Sequence, residues 1–458
     1  MIIAYFAMIM TLAYFYGRHD KKRTKLSFLV ANRTISGWHA AFSIAATWIW
    51  APALFIASEK AFTQGIAGVF WFTVPNVLTL VIFGYFATWM RKKLPEGFTF
   101  SDFIREKFSN RTHNLYLTES FGLQIMSFAV QLLAGGAILH KLTGIPFFWI
   151  TVCMAVIPFV YTYLKGIKAS IMTDYWQMIW IAIVLLIGLP FVFSNAGTDT
   201  ILKGLSGATG EYGSLFGGKS FDVFLSFGIP VTIGLLSGPF GDQMFWQRVF
   251  SIKKNEVKKA MFRSAIIFAI VPISLAIFGF AFAGSGLVNV DPQLTNVQSA
   301  IAFAPRWFLW LFMFMILSGL ISTADSIICA VSSIAGHDLI IRTGNKLDSV
   351  KVSRLAMVVV TVLAIIVANS GITILYLFLI YGILRSSVLL PTIYAVKGWA
   401  MSEKGLFYGI LTSIVVGLPV FAYGKLTGNL TLIIIGSLIA VFASGIISLF
   451  GKNKITNY

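Results

Sequence analysis

Thirteen predominantly apolar runs, at about 1–17, 37–58, 65–90, 113–139, 143–164, 169–194, 223–247, 260–285, 307–336, 352–369, 371–396, 405–424 and 428–450, take up most of this 458-residue sequence. Hydrocarbon offers backbone amides and carbonyls no water, so runs of about 20 such residues must satisfy those groups internally, as helices. With 57% hydrophobic and 11% charged residues, the chain reads as an all-α integral membrane protein of about thirteen transmembrane helices. The formal charge of +18 invites a nucleic-acid reading, but the placement of the cations excludes it. The connections around Arg18–Arg33, Arg91–Arg111, Lys165/Lys168, Arg248–Arg263, Arg342–Arg354, Lys397/Lys404 and Lys452/Lys454 hold 28 of the 35 Lys and Arg. By the positive-inside rule these segments are cytoplasmic, which puts the amino terminus outside and the carboxyl terminus in the cytoplasm of a cell-membrane protein. The first run has no small-residue cleavage site and reads as a retained helix. No soluble domain fits between the runs; the longest connection, 195–222, is a Gly- and Ser-rich loop.

Polar groups inside the runs carry the functional signal. Gly319, Ser322, Thr323 and Ser326 are spaced to share one helix face, with Asp325 beside it. A small-residue helix seam explains the hydroxyls but not the carboxylate, and an ionisable group at membrane depth marks a functional site by default. Asp174 lies about six residues inside the membrane on another run, at a depth comparable to Asp325, or else pairs with Lys168 or caps the helix start. Two carboxylates with hydroxyls between them make an oxygen-rich cation cage. Pro52 follows Trp48, Ile49 and Trp50 and frees carbonyls around Ala46 to Ile49; Pro239 interrupts a run five spans later. Two breaks five spans apart indicate an inverted repeat, with substrate and coupling ion at its interface. The expected organisation is a helix and basic loop (1–36), a first five-helix repeat (37–194), an external loop (195–222), a second repeat (223–396) and two peripheral helices (397–458). Gln124, Ser127 and Gln131 form a polar stripe that faces a wet pocket or joins two helices. His113 and Glu119, nearer the cytoplasm, read as snorkelling. Arg385, the basic residue at mid-span depth, needs a carboxylate, carbonyls or an anionic ligand.

No catalytic motif is present, so an enzyme is not expected. Cys153 and Cys329 lie inside runs, and the five histidines are scattered, which points away from disulfide and transition-metal sites. No organic cofactor, nucleic acid or obligatory protein partner is implied.

Three stretches together resemble the sodium/solute symporter family: Lys165 to Asp174 with its Gly166, Ala169 and Thr173, the Asp242-Gln…Gln-Arg248 run, and Ser322-Thr-Ala-Asp-Ser326. The pattern runs from about Leu26 to Pro391. The resemblance implies a LeuT-like five-plus-five inverted repeat and alternating access. It places a sodium ion at the carbonyls of Ala46, Ile49 and Gly319 with the hydroxyls of Ser322 and Thr323. In members that carry a second sodium, it falls at Asp174, Ser322, Asp325 and Ser326. The Trp48/Trp50 pair and the Asp242 to Arg248 run are most similar to the urea branch. Arg385 departs from that branch and keeps an amino acid or small carboxylate open as substrate; urea-type members also leave proton coupling open.

The expected function is a cation-coupled symporter, driven by sodium, that imports a small polar solute such as urea. The solute would meet Trp48, Trp50, Gln124, Ser127, Gln131, Gln243 and Arg385. A solute channel and a transport-dead sensor are the rival classes; the absence of an appended signalling domain counts against the sensor.

Overall fold

In the computed structural model, which describes residues 2–16, 24–287, 291–342, 344, 347–372, 374–450 and 454–455, α1 (Ile2–Tyr16) is followed by α2 (Lys25–Val30) and α3 (Gly37–Trp48). Arg18, Lys21, Lys22, Arg23, Lys346 and Lys452, counted above as cytoplasmic, lie outside the described residues. Ser36 starts α3 by accepting a hydrogen bond from the His39 amide. The helix stops at Ile49 and resumes as α4 (Ala51–Lys93), with a proline in its first turn, where a missing amide proton does no harm. Two predicted spans merge in α4, but Gln64 and Gly65 leave helical geometry. Gly65 adopts φ +52°, and a Cβ there would stand 2.5 Å from the Leu205 carbonyl, so only glycine fits the bend.

The chain continues through α5 (Phe100–Lys107), α6 (Asn110–Thr143), α7 (Phe147–Lys165) and α8 (Ile167–Ala196). Two short helices, α9 (Thr198–Gly204) and α10 (Lys219–Val223), flank the glycine-rich connection. A π-helical turn then leads into α11 (Ile229–Gly241). The second interruption falls at Asp242, three residues beyond its expected centre, and Pro239 stays within α11. The carboxylate is the reason: extended at φ −110°, ψ 117°, Asp242 accepts from the Met244 amide and starts α12 (Gln243–Ser251).

Next come α13 (Val257–Ser285), α14 (Thr295–Phe303) and α15 (Arg306–Ser333), the last running through the π-helical Ile334–Leu339 into α16 (Ile340–Arg342). The chain ends with α17 (Ser349–Ala368), α18 (Ile374–Ser387), α19 (Leu389–Lys397), α20 (Glu403–Thr412), α21 (Leu418–Thr427), α22 (Leu430–Leu438) and α23 (Ser444–Leu449). Among the described residues, ten helical spans are long and apolar enough to cross a membrane. The other expected crossings are short (α1) or divided (α3 with the start of α4; α18 with α19).

α15 lies at the centre and packs against α3, α6, α7 and α8, every residue from Met315 to Ser333 being buried. α11 packs against α4 and α18. Backbone hydrogen bonds from Ile35 to Ser251 and from Lys253 to Ile35 tie the start of α3 to the end of α12, joining the two broken elements at one end.

Candidate functional site

Three carbonyls converge on one hydroxyl at the first break. Thr323 Oγ1 lies 3.2 Å from the Thr47 oxygen, 3.3 Å from that of Ile49 and 3.4 Å from that of Gly319. One hydroxyl proton satisfies at most one of them, so the group is rich in unspent oxygen lone pairs. Such a set suits a hard cation, and Ile49, Gly319 and Thr323 are therefore brought together as expected. Two expected members are not. The Ala46 carbonyl accepts from the Ile49 amide at 3.0 Å as the cap of α3, and Thr47 takes its place. The Ser322 hydroxyl donates to Asp174 Oδ1 at 2.7 Å, away from the break. Thr47 lies within the Ala46 to Ile49 stretch read as freed but was not singled out, because only the depth of the carbonyls, not their direction, follows from a proline break.

The deeper carboxylates do share a cage, but a fixed cation stands inside it. Arg248, counted above among the cytoplasmic residues, is fully buried. Its Nη2 donates to Asp174 Oδ2 (2.8 Å), Ser326 Oγ (2.5 Å) and Ser170 Oγ (3.1 Å), and its Nε to Ser43 Oγ (2.9 Å). Ser43 also donates to Asp174, at 2.6 Å. Asp325 accepts from Ser170 Oγ (2.6 Å) and Tyr161 Oη (2.5 Å). Two carboxylates against one guanidinium leave one formal negative charge in a fully buried network. The tether of Asp174 is Arg248, not Lys168.

A cavity of about 480 Å³ lies between α4, α11, α18, α21 and α22, lined among others by Glu59, Lys60, Trp50, Tyr381, Arg385 and Lys425. The Arg385 guanidinium stacks over Tyr381 at 4.6 Å and Trp48 at 5.6 Å, and Trp50 packs on Tyr381 at 5.8 Å. Arg385 is 3% exposed and lies against aromatic faces, and among the described residues its Nε and Nη2 have no hydrogen-bond partner. Gly238 makes this possible: a Cβ there would stand 2.4 Å from Arg385 Nη2 and 2.5 Å from the Trp48 ring. Tyr381, the centre of the aromatic group, was missed because nothing in its own span singles it out.

The polar stripe divides among other tasks. Gln131 accepts from the Ala51 amide and donates to the Leu320 carbonyl, both at 3.0 Å, clasping the start of α4 to α15. Gln124 donates to Asp242 at 2.9 Å, and Ser127 is buried. Gln243 lies away from the cavity: it bonds the backbone of Phe98 and Phe100 and the Ser333 hydroxyl. As the first residue of α12 beyond the Asp242 break, it points to the neighbouring loop. His113 and Glu119 are buried, not snorkelling.

The comparisons agree with this architecture. The profile of the sodium:solute symporter family matches residues 28–413. The urea-proton symporter DUR3 of Oryza sativa subsp. japonica is 22% identical, the match covering 91% of this chain and 65% of that protein. The urea active transporter of Saccharomyces cerevisiae is 24% identical, over 93% of this chain and 65% of that protein. The chain thus spans just under two thirds of the length of these relatives. A sodium-coupled sialic acid symporter, solved in a substrate-bound outward-open state, superposes with a TM-score of 0.81 at 17% identity, covering 100% of this chain and 98% of that one. The nucleobase-cation-symport-1 family transporter Mhp1 gives 0.58 at 14% identity, over 93% and 94% of the two chains. The fold is the LeuT-like inverted repeat of broken helices.

Proposed function

This chain belongs to the sodium:solute symporter family, and we propose that it imports a small polar solute, urea or a similar amide, by sodium-coupled alternating access. The observation that carries the proposal is the convergence of the Thr47, Ile49 and Gly319 carbonyls on Thr323, one residue from a wall of the cavity. Trp48 and Trp50 flank Ile49. A sodium ion that fixes the Thr47 and Ile49 carbonyls also fixes both rings, so ion and solute each raise the other's affinity by the same factor. Arg385 then offers guanidinium donors to the solute's carbonyl oxygen, and the aromatic faces cover its flat sides.

The buried charge at Asp174, Asp325 and Arg248 adds a second coupling element. One monovalent cation, a second sodium or a proton, balances it and removes the penalty of burying an uncompensated charge. The ligands that fit are Asp325 and Ser326, with Asp174 held by Arg248. The relatives named for urea support the choice of solute, and the protein would work in a cell membrane with the amino terminus outside.

Uptake of labelled urea by the reconstituted protein, under an inward sodium gradient at fixed pH with a potassium control, tests this. Accumulation above equilibrium in sodium alone is expected. Equilibration without accumulation would make the protein a channel or uniporter. A second reading, transport of an amino acid or small carboxylate, is favoured by the free donors of Arg385 and predicts that such solutes compete with or replace urea.

A further inference from the structure

A cluster of metal-ligating side chains stands outside the transport site, where α5 meets the end of α15. Asp102, His337 and Asp338 each bring a donor atom within 4.8 Å of the others. His337 and Asp338 lie on the π-helical turn Ile334–Leu339, a departure from α-geometry of the kind found at functional sites. All three residues are buried: Asp102 is 4% exposed, His337 7% and Asp338 0%. The histidines, scattered along the sequence, thus do supply one imidazole to a pair of carboxylates.

The carboxylates are braced from behind. Thr99 Oγ1 donates to Asp338 Oδ1 at 3.0 Å, and Arg105 Nη2 to Asp102 Oδ1 at 3.0 Å. His337 Nε2 stands 2.5 Å from Asp102 Oδ2, and Phe98 stacks on the imidazole at 4.5 Å. Asp338 Oδ2 is buried and has no hydrogen-bond partner among the described residues. An acceptor left unsatisfied at full burial is costly, and a cation would satisfy it.

We propose that Asp102, His337 and Asp338 form a binding site for a first-row divalent transition metal ion that clamps this junction. One imidazole nitrogen and two carboxylate oxygens are borderline donors, suited to zinc or manganese and poorly suited to magnesium, which selects oxygen. Zinc bonds of about 2.0–2.2 Å put neighbouring donors roughly 3–3.5 Å apart, so the ion would open the 2.5 Å contact between His337 and Asp102 and draw Asp338 in. Thr99 and Arg105 orient the ligands as supporting partners do in metal sites. Gln243 of α12 bonds Phe98, Phe100 and Ser333 at the same junction, so a metal ion there holds together α5, α12 and the end of α15. That junction lies on the side read as cytoplasmic.

Calorimetric titration of zinc into the purified full chain, stripped with chelator and held in detergent, tests the site without requiring transport. One saturable site is expected, with affinity at least about tenfold lower in Asp338→Asn and in His337→Gln and unchanged in His140→Gln, which is exposed at the end of α6. Melting temperatures taken without metal show which variants are folded; if Asp338→Asn is not, His337→Gln decides. No saturable binding by the native chain, or binding unchanged in every folded cluster variant, would overturn the proposal. So would equal affinity for magnesium and zinc, because the imidazole would then be idle.

Discussion

Arg248 shows how much one side chain decides at depth. Its guanidinium reaches Ser43, Ser170, Asp174 and Ser326, on three different helices. Arg248→Gln strands Asp174 beside Asp325, and breaking a buried pair in this way costs about 3–5 kcal/mol. Thermal unfolding should show the loss, and adding Asp174→Asn should recover part of it; strictly additive losses would deny the pairing. Arg385→Lys keeps the charge but gives up the planar donor fork stacked on Tyr381 and Trp48. The solute concentration for half-maximal uptake should rise about tenfold, near 1.4 kcal/mol; no change would place the solute elsewhere. The sequence shows Asp174, Asp325 and Ser326 as a cage, because oxygen donors at membrane depth stand out among apolar neighbours. It hides the cation inside, because Arg248 stands close to Lys253, Lys254 and Lys258 and looks like one more cytoplasmic charge.

Broken helices set the geometry between elements. The α3/α4 break is legible in sequence because Pro52 cannot serve within a continuous helix. The α11/α12 break is misplaced by three residues because a capping carboxylate, not the proline, ends the helix. Gln131 lies in the stripe read as facing a pocket or joining two helices, and both of its amide atoms join the α4 start to the Leu320 carbonyl. Spacing identifies a polar face but not what it meets. Close approach between α11 and α18 depends on Gly238. Gly238→Ala should leave the protein folded and monodisperse while raising the half-saturating solute concentration by about tenfold or more, since Arg385 or Trp48 must move. Native uptake in that variant would show that the stack has no part in binding.

Across the whole molecule, apolar run length and the clustering of basic residues were enough to identify a multi-pass helical membrane protein, and two breaks five spans apart pointed to an inverted repeat. The contacts that make the sites were not legible, because Thr47 with Thr323, Gln243 with Phe98 and Asp102 with His337 join residues far apart in the chain. Coupling belongs to this scale: the first break must bind the ion and shape the cavity wall together. The most direct test is the sodium dependence of solute uptake, measured side by side for the native chain and Thr323→Ala in proteoliposomes. Removing the hydroxyl should raise the half-saturating sodium concentration about tenfold, the equivalent of 1.4 kcal/mol, while uptake at saturating sodium persists. Identical sodium curves for the two proteins would contradict ion binding at the first break.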